Sequence, residues 1–425
     1  MEELFGLSMD VLMMVVLAIF LAAMAVLITL AWRNRIMLKM GLRPIPRRLG
    51  QTVLIIVGVM LSTVIISAAF GTGDTISFSI RSQILEELKT IDEIIIPARA
   101  KADDSFGSAP YVPYQRFEEL QAALVGFEEI DGLAPQIGES VPAVNLRTSQ
   151  SEGFMRVAGV APDLLDGFGT FTLTSGEDVR LDDLLDDEAY INDKAADELQ
   201  AVAGDELRLF IDGETPTFKV KGVVERGGLA GRDPTLILPL ARAQMAFGRI
   251  GEINSIVVSN RGGVREGAEL SKQVTRKLRV LYTDRGVASQ LKGLLNQEEV
   301  LKALEEHEES LAEHMQKDIS QLREELQRAE LSDELISLLA DDDIVSVVFD
   351  VLEENELKEV DREARTLFDD LVEFRVIEVK RRGLDFADDV GSGVTTFFMV
   401  FSLFSISVGI LLIFLIFVML ASARR

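Results

Sequence analysis

The sequence predicts an α+β fold tied to a membrane: an integral membrane protein with three transmembrane helices and a large extracytoplasmic mixed α/β domain carrying a helical insertion. Three observations predict it. Charge-free apolar runs occupy Val11 to Trp32 and Val53 to Phe70 on either side of a basic segment, and a third run, Val394 to Ala421, lies near the far end. The long interval between Phe70 and Val394 holds no apolar run of membrane length. That interval opens with short strand-like runs and turns, then becomes Leu- and Glu-rich at helical spacing.

Residues 1–10 carry acids and no Lys or Arg, so they form an extracytoplasmic N-terminus. Residues 11–32 follow as a transmembrane helix whose one polar residue is Thr29. At about 1.5 Å of rise per residue the run covers roughly 33 Å, the depth of a hydrocarbon core. A signal peptide is the alternative, but the apolar core is too long, the leader is acidic and no small-residue cleavage site follows.

Residues 33–50 (RNRIMLKMGLRPIPRRLG) form a cytoplasmic basic amphipathic segment. Its cations, Arg33, Arg35, Lys39, Arg43, Arg47 and Arg48, lie among apolar residues with Trp32 as an interfacial anchor, the pattern of a helix on an anionic membrane surface. Residues 51–70 cross back. Residues 71–91 continue as an amphipathic stalk with Ile76, Ile80, Ile84 and Leu88 every four residues.

The extracytoplasmic core is assigned to residues 92–263 and 373–393. Strands are expected at Asp92 to Pro97, Gly132 to Ile137, Val141 to Arg147, Gly153 to Val160, within GDELRLFI, at Thr217 to Val224, Leu236 to Pro239 and Ile253 to Ser259. Helices are expected at Tyr114 to Leu124, DKAADELQ and Ala241 to Phe247. Residues 264–372 form the helical insertion, with Val300, Leu304, Leu311, Met315, Leu322 and Leu326 as one apolar stripe and Ile344 to Leu352 packed against it. Phe374 to Lys380 returns to strand character. Gly391 and Gly393 mark the entrance to the helix at 394–421, and residues 422–425 begin a cytoplasmic loop.

Charge and residue usage exclude several functions. The chain is −26 net, and all but three of its 69 acids lie between the second and third runs, which argues against nucleic acid as a partner. With no cysteine there is no disulfide framework, thiolate metal site or lipidated Cys. No G-x-x-x-x-G-K-[ST] loop is present, so ATP has no cradle here, and Gly227 to Gly231 (GGLAG) reads as a loop between strands.

His307 and His314, with Glu308 or Asp318 as a third ligand, are the nearest thing to a metal set, but the spacing favours ordinary helix residues. The acids Asp182, Asp183, Asp186, Asp187 and Glu188, and Asp341 to Asp343, lack the order of a calcium loop and read as solvated loops and helix starts. No catalytic, metal or cofactor residue is assigned; the candidate site residues are the membrane-interface set from Trp32 to Arg48.

Several stretches carry a family likeness. RNRIMLKMGLRPIPRR before a membrane helix, then EAYINDKAADELQAVAGDELRLF, FKVKGVVERGG, TLILPLARAQMAFG and INSIVVSN, and the ending FSLFSISVGILLIFLIFVMLASARR, together resemble the FtsX/MacB family of ABC-transporter permeases. The likeness covers about residues 33–260 and 373–425. The extra helix at 11–32, the long helical insertion and the stop at Arg425 depart from the pattern, the last implying a fragment or first half of a permease.

The resemblance implies a permease subunit in the plasma membrane that is not itself an enzyme. It implies an ABC-type ATPase subunit as partner, membrane lipids around it, and a homo- or heterodimer of permeases. ATP hydrolysis by the partner would move the extracytoplasmic domain to export or extract a lipoprotein, peptide or hydrophobic compound. The alternative is a non-transporting membrane regulator or adhesion protein whose acidic ectodomain binds a cell-envelope partner.

Overall fold

The computed structural model describes residues 49–97, 110–282 and 374–422, with single residues and short runs within 3–33 and 318–321. The described residues divide into two compact units, Ile84–Arg381 and Met1–Gln83 with Arg382–Arg425.

The unit Ile84–Arg381 is built on one sheet whose main strands are β1 (Glu93–Pro97), β2 (Ile130–Asn145), β3 (Ser151–Val160), β4 (Glu188–Asn192), β5 (Glu206–Leu209), β6 (Thr217–Val224), β7 (Thr235–Pro239), β8 (Ser255–Asn260) and β9 (Phe374–Ile377). Their order is β5-β6-β4-β7-β3-β2-β8-β1-β9, and β5 also pairs with β2. The strands from β2 round to β5 therefore close on themselves as a small barrel, while β8, β1 and β9 extend the sheet from the other half of β2. Most pairs are antiparallel; β6 with β4 and β7 with β3 are parallel.

Alternation fixes which face goes inside. Phe218 and Val220 on β6, Leu207 and Leu209 on β5, and Leu236 and Leu238 on β7 join Met155, Val157 and Ile191 in the barrel core. Helix α3 (Asp193–Leu199) closes it with Ala195 and Leu199. On the extension, α2 (Gln115–Ala123) and α5 (Ser271–Tyr282) lay Phe117, Leu120, Val274 and Leu278 over Ile95, Ile256, Val258, Phe374 and Val376. Helix α4 (Leu240–Ala246) adds Leu240 and Ala243 to that same cluster.

Several elements differ from the sequence reading for identifiable reasons. Gly132 to Ile137 and Val141 to Arg147 are one bent strand, β2, with a register shift between Val141 and Ala143 where β3 carries an extra residue opposite Pro142. Glu-Ser-Val-Pro resembles a turn, but the Asn254 side chain substitutes for a neighbouring strand at Gly138: Oδ1 accepts from Gly138 N at 2.8 Å and Nδ2 donates to Gly138 O at 3.0 Å. Asn254 also splits the strand expected at Ile253 to Ser259, so that Glu252–Ile253 pairs with Val112–Pro113 and β8 starts at Ser255.

The acid cluster concealed β4, whose five residues are all buried. Glu188 is no solvated loop residue: it opens β4 and accepts from Lys221 Nζ at 2.9 Å, which lowers its carboxyl pKa. Asp182 and Asp183 lie in a 3-10 turn, and Asp186 meets Arg242. The strand at Phe374 to Lys380 ends at Ile377, because Lys380 already belongs to the long helix α6 (Val379–Ser422).

Of the helical insertion, the described part runs through α5 to Tyr282, with Asp318, Ser320 and Gln321 beyond it, and the next described run begins at Phe374. The two ends meet: the Tyr282 and Phe374 ring centroids lie 4.3 Å apart. The stripe from Val300 to Leu326, the run Ile344 to Leu352, His307, His314 and Asp341 to Asp343 lie outside the described residues.

The second unit holds the first part of α1 (Leu49–Leu88) and most of α6. Helix α6 passes straight through Gly391 and Gly393, so these do not mark a helix start. Val53, Ile56, Val57, Met60 and Val64 on α1 and Phe397, Phe401, Phe404, Leu411 and Phe414 on α6 are exposed. Among the described residues, no helix is long and apolar enough to cross a membrane.

Because Ile191 is fully buried in the barrel core, Ile191→Ala is expected to lower unfolding free energy by about 2–5 kcal/mol, read from denaturant titration of the full chain.

Candidate functional site

Helix α1 stops because Lys89 takes a left-handed backbone (φ 49°), and Ile91 N then donates to Leu88 O at 2.9 Å. The next two side chains, Asp92 and Glu93, lie at the start of the buried strand β1 and are themselves fully buried. Buried charge requires a partner. Asp92 Oδ1 accepts from Lys380 Nζ at 2.7 Å, and neither side chain has any exposure. Asp92 Oδ2 accepts from Asn260 N at 2.8 Å.

The backbone reinforces this: Asp92 N donates to Val258 O at 2.9 Å, and Lys380 N donates to Asp92 O at 3.3 Å. One carboxylate thus binds the end of β8 and the first turn of α6 at the point where α1 becomes β1.

Glu93 completes the junction. Its Oε1 accepts from Asn260 Nδ2 at 2.8 Å, which also donates to Gly267 O at 3.1 Å. A Cβ on Gly267 would stand 2.6 Å from Asp92 Oδ2, so this close approach requires glycine. Burial pushes the Glu93 carboxyl up to about 8, against the opposing pull of Ser271 and Asn260, with Asp92 and Glu378 adding to the rise. Burial also raises Asp92, opposed first by its hydrogen bond and attraction to Lys380. The junction thus sets the Asp92–Lys380 contact beside an acid whose proton burial favours, and Glu93 Oε2, like Asn260 Oδ1, has no hydrogen-bond partner among the described residues.

A second attachment grips α1 from the barrel side. Between β6 and β7, Gly227 has φ 100° and a Cβ there would lie 2.5 Å from Glu86 O, so only glycine lets this loop rest on the end of α1. Asn192 holds the loop: Nδ2 donates to Ala230 O at 3.0 Å, Gly231 O at 3.3 Å and Asp233 O at 2.7 Å. Its Oδ1 accepts from Ala195 N at 2.8 Å, capping α3, and from Thr235 N at 3.1 Å. Arg232 reaches Glu87 at 3.7 Å and Arg226 pairs with Asp193 at 2.9 Å.

In the other unit, α1 and α6 pack through small residues. A Cβ on Gly73 would lie 2.8 Å from Gly391 O, and one on Gly391 would lie 2.8 Å from Ser77 Cβ. Gly73 and Ser77, and Gly391 and Thr395, are each four apart, which is the spacing that allows close helix approach. Ser77 Oγ donates to Asp388 Oδ1 at 2.8 Å and Arg81 Nη1 to Asp388 Oδ2 at 2.6 Å.

Of the residues expected at the membrane interface, Trp32 is 80% exposed and Arg33 is exposed on helical backbone. Arg35, Lys39, Arg43, Arg47 and Arg48 lie outside the described residues. No group of His, Cys, Asp and Glu among the described residues could hold a metal ion. Sequence reasoning missed Asp92, Glu93, Asn260 and Lys380. The signal was a pair of acids opening a strand of three isoleucines, yet the cation that answers Asp92 is 288 positions away.

The unit Ile84–Arg381 is a mixed sheet that the chain enters from α1 and leaves through α6. The model of the MacB-like periplasmic core domain matches residues 52–277, over half the chain, and the chain belongs to this family, that of FtsX/MacB-type ABC-transporter permeases. Among solved structures, the periplasmic region of MacB from Actinobacillus actinomycetemcomitans is similar at 17% identity, covering 47% of this chain and 89% of that one with a TM-score of 0.31. The extracellular domain of the ABC-type transporter YknZ from Gram-positive bacteria is similar at 15% identity, covering 45% and 91% with a TM-score of 0.30. No curated protein matches.

Lys380→Met leaves Asp92 buried and uncompensated, so a loss of about 3–5 kcal/mol in unfolding free energy is expected from denaturant titration. Glu93 keeps its proton longer when folded than the usual carboxylate near 4.5. Its contribution to stability is therefore complete below about pH 4.5 and is lost as pH rises through about 8. Glu93→Gln should flatten the fall in Tm across that window and raise Tm at higher pH.

Proposed function

We propose that the chain is a permease subunit, not itself an enzyme, that couples ATP hydrolysis by a partner ATPase to movement of its extracytoplasmic domain. In this reading residues 11–32, 51–70 and 394–421 cross the plasma membrane and residues 33–50 lie on its cytoplasmic face. Their apolar content and the one-sided distribution of Arg and Lys support that arrangement. Permeases would pair as homo- or heterodimers, and the cargo would be a lipoprotein, peptide or hydrophobic compound.

The observation that carries the reading is the junction around Asp92. The C-terminal end of α1 and the N-terminal end of α6 are fastened to the same buried ion pair and the same strands. Any displacement of either helix along its axis must be passed to β1, β8 and β9 or must break that pair, and helices are stiff enough to deliver it.

The absence of cysteine makes a direct test available. Ser77→Cys combined with Asp388→Cys places two thiols across the contact of α1 and α6, where the two native side chains already meet at 2.8 Å. The full chain, purified in mild detergent from its own membranes, is expected to bring an ATPase with it. Oxidising the cysteine pair should slow that ATPase several-fold, and reductant should restore it. An ATPase indifferent to the lock, or none at all, would sink the coupling proposal.

A further inference from the structure

Exposed large apolar residues on the domain are mostly single, as at Val125, Leu185 and Ile250. One group is contiguous. Phe210 follows β5, and its N–H donates to Pro142 O at 2.9 Å, which places Phe210 beside Pro142 on β2. On the other side of Pro142, β3 pairs Met155 with Val141 and Glu152 with Ala143, so that Gly153 and Phe154 of its bulge together oppose Pro142. Leu209, Val141, Ala143 and Met155 point into the barrel core, so Phe210, Pro142 and Phe154 form a row across three neighbouring strands on the outer wall. Phe154 is 63% exposed and Phe210 45% exposed.

The row has an acidic rim held in fixed positions. Asp212 and Gly213 form a tight hairpin with left-handed backbones at both positions, closed by Ile211 N to Glu214 O at 3.0 Å and Glu214 N to Ile211 O at 2.7 Å. This turn holds the exposed Asp212 and Glu214 beside Phe210. Glu152 stands on the opposite side, its Oε1 accepting from Phe154 N at 3.0 Å. Arg208 is the cation within reach, opposite Val144 one row along.

We propose that this wall of the barrel is a docking surface for a partner protein that presents an apolar side chain ringed by Lys or Arg. Aromatic anchors inside a polar rim are the usual energetic centre of a protein interface. The charge selects the occupant. An anionic lipid surface would be repelled by the acids, and a second copy docking through the same wall would bring the same acids face to face. A barrel wall also offers no free strand edge, so recognition is by side chains rather than by an added strand.

The test uses the full chain in its native membrane, with a photoreactive phenylalanine at position 154, 210 or, as control, 250. The expected result is one protein adduct shared by positions 154 and 210 and absent from 250. Its crosslinked peptide should carry an apolar residue flanked by Lys or Arg, and its yield should fall several-fold with Asp212→Asn plus Glu214→Lys at unchanged Tm. Glu152→Gln gives the same reading if that double variant loses stability. Adducts only to lipid or to a second copy, no adduct, or one indifferent to the acid substitutions would overturn the proposal. Loss of the ATPase link described above would leave these outcomes unaffected.

Discussion

A lysine ammonium and a carboxylate with no exposure to water can coexist only if each is the other's solvent. The Asp92–Lys380 pair meets that condition and in doing so sets the architecture around it. Asp92 must sit where α1 turns into β1, Lys380 must be delivered by the first turn of α6, and Asn260 must end β8 within reach of both acids. Shifting β1 by one residue would carry Asp92 away from Lys380 and turn Glu93 and Ile95 to the other face of the sheet, so the pair also fixes strand register.

The protonated Glu93 modifies this picture. Two ionised acids against one lysine would leave a net charge in the interior, and the fold avoids it by keeping the proton on Glu93. The junction is accordingly sensitive to whatever raises or lowers the polarity around it. The Gly227 loop contributes a different kind of attachment, a backbone rest that depends on shape and on the Asn192 hydrogen bonds instead of charge.

Much of the fold was legible in the sequence. The alternation of Phe218, Val220, Gly222 and Val224 and the 3.6-period stalk are local signals, and local signals survive without an alignment. What stayed hidden was nonlocal or disguised. Glu139 and Ser140 look like a turn until Asn254, over a hundred residues on, supplies hydrogen bonds to Gly138. Glu188 looks like solvated charge until Lys221 is placed against it by a parallel strand pairing. The buried junction is the extreme case, since no spacing rule connects Asp92 with Lys380. The aromatic row was invisible for another reason: Phe154 and Phe210 sit in separate strands, and only closure of the barrel makes them neighbours.

The contact between Tyr282 and Phe374 has an implication for how such a protein can change over time. The point where the described chain leaves the domain and the point where it returns lie side by side, ring against ring. The entropy of closing a chain segment between two fixed ends grows only slowly with its length. A change in the chain beyond these two rings therefore need not disturb the sheet, because its exit and its re-entry are already held against each other.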